Sequence, residues 1–280
     1  MKKTFLSLSI LLSAGLLCAQ SNTSNLQQIG DDNNAGITQR GATNSTLVIQ
    51  NADNNVVDLS QAGTNNVGEV QLNGGNNTVD LAQVGDANNA VSLMADGDNV
   101  SAISQEGNLN TTRQEVEGTG NDLSVAQEGN DNRAIQLQSG AGNNSAFVQQ
   151  VGDNNLATQE QAGENSSITI DQLGNNSAAI IQQTGVSNNI SAMQEGNGNT
   201  MNVAQNGNNN FAGAENQVLL DQFGDNNNIL LSQDGNENAA AISQEGNAND
   251  AINTQTGQTN NSIILQAGSR NTATVSQSEN

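Results

Sequence analysis

Carboxylates and amides are the side chains of this 280-residue sequence that could do chemistry. Asp and Glu number 28 against 6 Lys and Arg, and there is no His. Paired carboxylates can serve as acid and base, or as oxygen ligands for calcium. Imidazole catalysis is excluded, and the single Cys18 supports neither a thiolate metal cage nor an internal disulfide. A net charge of -22 leaves nothing to neutralise a row of phosphates, so nucleic acid is excluded as a partner. Amides are the more abundant group. Asn and Gln neither titrate nor attack, but each can donate and accept at once, and stacked in register they form continuous hydrogen-bonded columns.

Such columns need regular spacing, and the sequence supplies it. The pattern Q-x-G-x-x-N-x-A-x-x-x-Q is complete in six segments, beginning at Gln28, Gln127, Gln150, Gln233, Gln244 and Gln266. They place Gly30, Gly129, Gly152, Gly235, Gly246 and Gly268 two residues on, and Asn33, Asn132, Asn155, Asn238, Asn249 and Asn271 five on. Counting by elevens from Gln28 passes Gln39 and Gln50, with Asn44 and Asn55 in phase and Asn143 as the last Asn of the series. One extra residue near Gly140 to Asn144 resets the count, and it ends at Gln277. The interval from Gln205 to Gln222 is longer and predicts an enlarged turn over 206–215 before a strand Gln217 to Asp221.

The elements that carry these residues must be strands. Asn55, Val57, Leu59 and Gln61 share one side of an extended segment, as do Asn227, Ile229, Leu231 and Gln233. Gly and a neighbouring Asp, Asn or Glu fit the turn between units, and they spoil any helical stripe. The expected fold is all-β, a solenoid of stacked strand-turn-strand layers. Gln is replaced by Leu72, Met94 and Val116, which are 22 residues apart; with two eleven-residue units per layer these three form one aliphatic column.

Ahead of the repeats, Met1 to Gln20 reads as a secretory signal peptide: Lys2 and Lys3, the apolar run Phe5 to Leu17, then small residues. Leu17 stands where a lipobox requires Gly, Ala or Ser, which argues against lipidation of Cys18. Ser21 to Gln27 is a short N-terminal segment, residues 28–280 are the repeat region, and no later stretch is long and apolar enough to span a bilayer.

The six full copies of the twelve-place pattern resemble the curlin repeat of the major and minor subunits of curli, the amyloid fibres of bacterial biofilms. The resemblance implies a subunit secreted through an outer-membrane pore, assembling at the cell surface into a homopolymer with a nucleator subunit, and serving adhesion and cell aggregation. Independently, a solenoid without terminal caps exposes unpaired strand edges, so its ends are expected to template one another. A minor nucleating subunit and a monomeric solenoid adhesin are the alternatives; an ice- or glycan-binding face would show a regular outward Thr array, whereas these places vary among Ile, Ser, Asp and Arg. No enzyme and no cofactor are expected, because polysaccharide-cleaving β-helices carry varied loops and a basic or aromatic groove. Stacked acids such as Glu106 and Glu128, and Asp31, Asp86, Asp153 and Asp225 after the turn Gly, suggest a solvated turn or weak calcium binding between layers. The outward Leu47, Ile49, Ile135, Leu137, Phe147, Ile180, Leu230, Ile263 and Leu265 suit lateral bundling if they align on one face.

Overall fold

The computed structural model describes residues 21–140, 142–212 and 220–279. The leader expected over Met1 to Gln20, with Cys18, lies outside these residues. Among the described residues none is helical, and none therefore lies in a helix able to cross a membrane.

The chain winds as a β-solenoid, two strands to a layer, and every strand pairs in parallel with the strand one layer away. Thr23–Gln28, Ser45–Gln50, Val67–Leu72 and so on to Thr272–Ser278 build one sheet, hereafter the first; Asn34–Ala42, Val56–Thr64 and so on to Asn261–Ser269 build the second. The register is 22 residues: Gln28 lies against Gln50, and Gln39 against Gln61. Alternation decides which side faces in. In Val56–Thr64, for example, Val57, Leu59 and Gln61 are buried while Val56, Asp58 and Ser60 point out. Burying each aliphatic contributes about 1.5–3 kcal/mol, so a one-residue slip would turn the whole inner set to solvent.

Leu72, Met94 and Val116 lie directly over one another, all at most 2% exposed. This is the aliphatic column that the 22-residue spacing predicts.

Two details differ from the expected phasing. Asn143 is not the amide of its turn: it takes φ 59, and Asn144 occupies the buried place and accepts no more than 1% exposure. The register there is 23, as in Asp122 against Ser145. Nor is the turn at 206–210 enlarged. Gly207 N–H donates to Thr184 at 3.1 Å and Asn210 is fully buried, as in other turns. Ala212 still pairs with Ile190, 22 residues back, whereas Leu220 pairs with Ala192, 28 back, so the register shifts by six between Ala212 and Leu220. The strand resumes as Leu220–Phe223; residues 213–219, including most of the expected Gln217 to Asp221, lie outside the described residues.

The apolar interior is divided. One cluster runs from Ala35 to Ala146 and the other from Val125 to Ile264. Between them the middle inward column of the first sheet turns polar, through Ser92, Gln114, Gln136 and Gln159, all buried.

Candidate self-assembly site

Eleven glutamines of the second sheet form an unbroken column. Gln39, Gln127, Gln150, Gln244 and Gln266 all stand in it, joined through their neighbours by Nε2 to Oε1 bonds of 2.8–3.0 Å. Each Nε2 also donates to a backbone carbonyl of the facing strand, sixteen or seventeen residues back, as Gln150 does to Arg133 at 3.1 Å, or 22 back for Gln222 to Thr200. Both amide donors are thus used, which removes the penalty of burying them. The first sheet carries Gln28, Gln50, Gln233 and Gln277 in the matching column. There Leu72, Met94 and Val116 interrupt it, and the buried Gln138 Oε1, which faces Val116, has no partner.

Amides at the corners do a second job. Most corner Asn accept the backbone N–H of the next equivalent residue and donate to the next corner carbonyl: Asn55 N–H to Asn33 Oδ1 at 3.0 Å, Asn44 Nδ2 to Gly63 O at 2.9 Å, Asn132 Nδ2 to Gly152 O at 2.6 Å, whereas the buried Asn121 Nδ2 has no partner. Asn155 and Asn249 donate in the same way to Gly174 and Gly268, and Asn238 to Gly257, while Asn271 Nδ2 bonds Asn249 Oδ1. Gly30, Gly129, Gly152, Gly235, Gly246 and Gly268 take φ between 106 and 119, a conformation open only to glycine.

The sequence reading missed three features. The residue two after the corner glycine is left-handed even where it is Ala87, Leu109, Glu237 or Arg270; only its frequent Asn or Asp hinted at this. A second amide column links Gln114, Gln136 and Gln159 by bonds of 2.7 and 2.9 Å, with Ser101 bonded to Gln114. Its signal was there, since these residues are themselves 22 and 23 apart. Outside, an exposed corner column runs Asp86, Asn108, Asn130, Asp153, Asn175, Asn197, Asp225, Asn247, each Oδ1 accepting the backbone N–H one layer before. Two Asn separate successive Asp, which keeps the carboxylates about 14 Å apart.

Glu106 and Glu128 do stack on adjacent layers. No group of three or more acidic or sulfur ligands that could hold a metal occurs among the described residues. Asp86 has its carboxyl held below the usual range by the Thr64 hydroxyl and then the Thr64 N–H, so its contribution is present at neutral pH and fades as pH falls through that lowered value. Asp221 is the opposite case. It is half-buried, its Oδ1 has no partner, and desolvation pushes it up to about 6; Asp171, two layers away across Met193, is raised for the same reason. The folded state therefore holds this proton more tightly than the unfolded chain, and stability rises as pH is lowered through about 6 toward the ordinary carboxylate range. Asp221→Asn is expected to stabilise the fold by about 1 kcal/mol at pH 7, after discounting for solvent, and to change little at pH 4. Thermal unfolding followed by circular dichroism at the two pH values checks this; equal effects at both would refute it.

The Curlin associated repeat model matches residues 30–63, 52–85, 143–174, 213–246, 224–257 and 246–278, together more than half of the chain. The chain belongs to the curlin repeat family. The matched spans of 34, 32 and 33 residues each hold three eleven-residue units, so a curlin repeat as recognised here is one full layer with its following strand. A search of curated proteins finds no match.

Proposed function

We propose that this curlin-repeat chain is a secreted structural subunit that self-assembles into extracellular curli-like amyloid fibres of a biofilm matrix, serving surface adhesion and cell aggregation. The signal-peptide pattern of Met1 to Gln20 supports secretion, and the family supports a curli-type pore and nucleator as partners. One observation carries the assembly: the amide columns run one way, and they stop at open sheet edges. Gln28 Nε2 donates into the stack at 2.8 Å, while among the described residues nothing donates to its Oε1. At the far edge Gln277 accepts from Gln255 at 2.9 Å, and no further layer follows among the described residues. Joining edges of two copies therefore continues an existing bond pattern, and the one-way columns permit only head-to-tail union. The glutamines, corner asparagines and glycines named above are the residues that carry it.

Thioflavin-T kinetics of the leaderless protein, alone and with preformed fibres, test this reading. Spontaneous growth after a lag that seeds abolish is the expected result. A protein that stays monomeric for days at moderate salt, with or without seeds, would refute it, and unseeded assembly without a lag that accelerates another curlin would reassign it as a nucleator.

A further inference from the structure

The outward residues of the first sheet alternate in class from layer to layer. Its middle outward column reads Asn25, Leu47, Glu69, Val91, Arg113, Ile135, then Thr158, Ile180 and Asn202, and continues past these nine layers to Leu230, Ile252 and Thr274. From Leu47 to Leu230 aliphatics thus recur every second layer, about 9.6 Å apart. The order is also the same in either direction from Arg113: Val91 answers Ile135, Glu69 answers Thr158, Leu47 answers Ile180 and Asn25 answers Asn202. The flanking columns share this mirror within two layers of Arg113, and beyond that Ile49 answers Gln182. Leu93 answers Leu137 on one side of it, and Val67 answers Leu156 on the other.

We propose that this face binds a second copy of the chain, the two solenoids lying side by side and running in opposite directions about a two-fold axis along the strand Thr111–Glu117. Rotation about that axis keeps each column and exchanges layers above and below, so the aliphatics of the middle column meet aliphatics, Leu93 meets Leu137, Val67 meets Leu156 and Glu69 meets Thr158, while Ile49 lies against Gln182. At the axis, Arg113 and Glu115, which pair within one strand, meet the same pair of the other copy; the four charges sum to zero and can bond crosswise. A parallel arrangement would set Glu69 against Glu69, and the flanking Leu93 against Asn89.

Charge selects this face over the other. On its three outward columns Glu69, Glu115, Glu160 and Asp250 are offset by Arg113 and Arg133. The second sheet presents Asp58, Asp80, Asp122, Asp171 and Asp221 with no arginine in the equivalent columns among the described residues. Nine layers by three columns cover roughly 750 Å² per copy, about 1,500 Å² in all, the size of a stable specific interface. The contact is lateral and independent of end-to-end growth.

Single spin labels at Thr111→Cys and at Thr200→Cys, each in a Cys18→Ser background, give the test, read in fibres and in concentrated unassembled protein. Label pairs at 111 should lie within about 20 Å, because the position faces itself across sheets about 10 Å apart, and those at 200 should lie about 40 Å apart, eight layers distant. Ile135→Asp, an outward change, should abolish the short distance at 111 while seeded growth proceeds unchanged. Short distances at both sites would establish parallel pairing and overturn the proposal, as would normal fibres with no short distance at 111. If no fibres form, the distance in unassembled protein still decides the lateral contact separately from the assembly reading.

Discussion

Gly107→Ala is expected to destabilise the middle of the solenoid by about 3–5 kcal/mol. Gly107 has φ 118, which an L residue adopts only at a cost of about 1–3 kcal/mol. A Cβ there would fall on the carbonyl oxygen of Gly129, one layer on, and that oxygen is held by Asn110 Nδ2 at 2.8 Å. Relief means pulling the carbonyl away from a buried amide, a further 1–3 kcal/mol or so. Gly142→Ala is the control. Its φ is 71 and nothing lies within 4 Å of the added carbon, so about 1 kcal/mol is expected. Denaturant unfolding by circular dichroism compares the two, and hydrogen exchange should show protection lost around Gly85, Gly107 and Gly129. Equal small effects would mean that the corner carbonyls are not stacked as described.

The second large effect is a failure of additivity in the aliphatic column. Met94→Gln alone buries an amide between Leu72 and Val116, neither of which can bond it, and should cost about 2–4 kcal/mol. Leu72→Gln, Met94→Gln and Val116→Gln together connect Gln50 to Gln138 and give the orphaned Gln138 Oε1 its donor. The triple variant should therefore be at least about 2 kcal/mol more stable than the sum of the three single changes predicts, read from a denaturant series. Simple additivity would show that the columns do not act as bonded units.

Much of this was legible because the fold repeats one unit. Gln and Asn at elevens gave the strands and corners, and Leu72, Met94 and Val116 at 22-residue intervals gave two strands per layer. What escaped notice lay off that repeat. The column Gln114, Gln136, Gln159 occupies an inward place normally aliphatic, so a count keyed to the usual glutamine passes over it. In sequence the long interval after Gln205 reads as an enlarged turn because polar Asn206 to Asn210 looks like one long loop; only pairing partners reveal that this corner is ordinary. Asn143 and Asn144 are chemically identical, and which of them turns inward is decided by the stacked layers and not by local preference. The mirrored outer face of the first sheet was invisible for a similar reason, since it emerges only once layers are set above one another.

A cryo-electron microscopy reconstruction of the fibres at side-chain resolution tests the central claim most directly. It should show two strands per layer, layers about 4.8 Å apart, and the Gln172 amide bridging Gln150 and Gln194. Three strands per layer, or glutamines of successive layers pointing to different sides, would contradict the account.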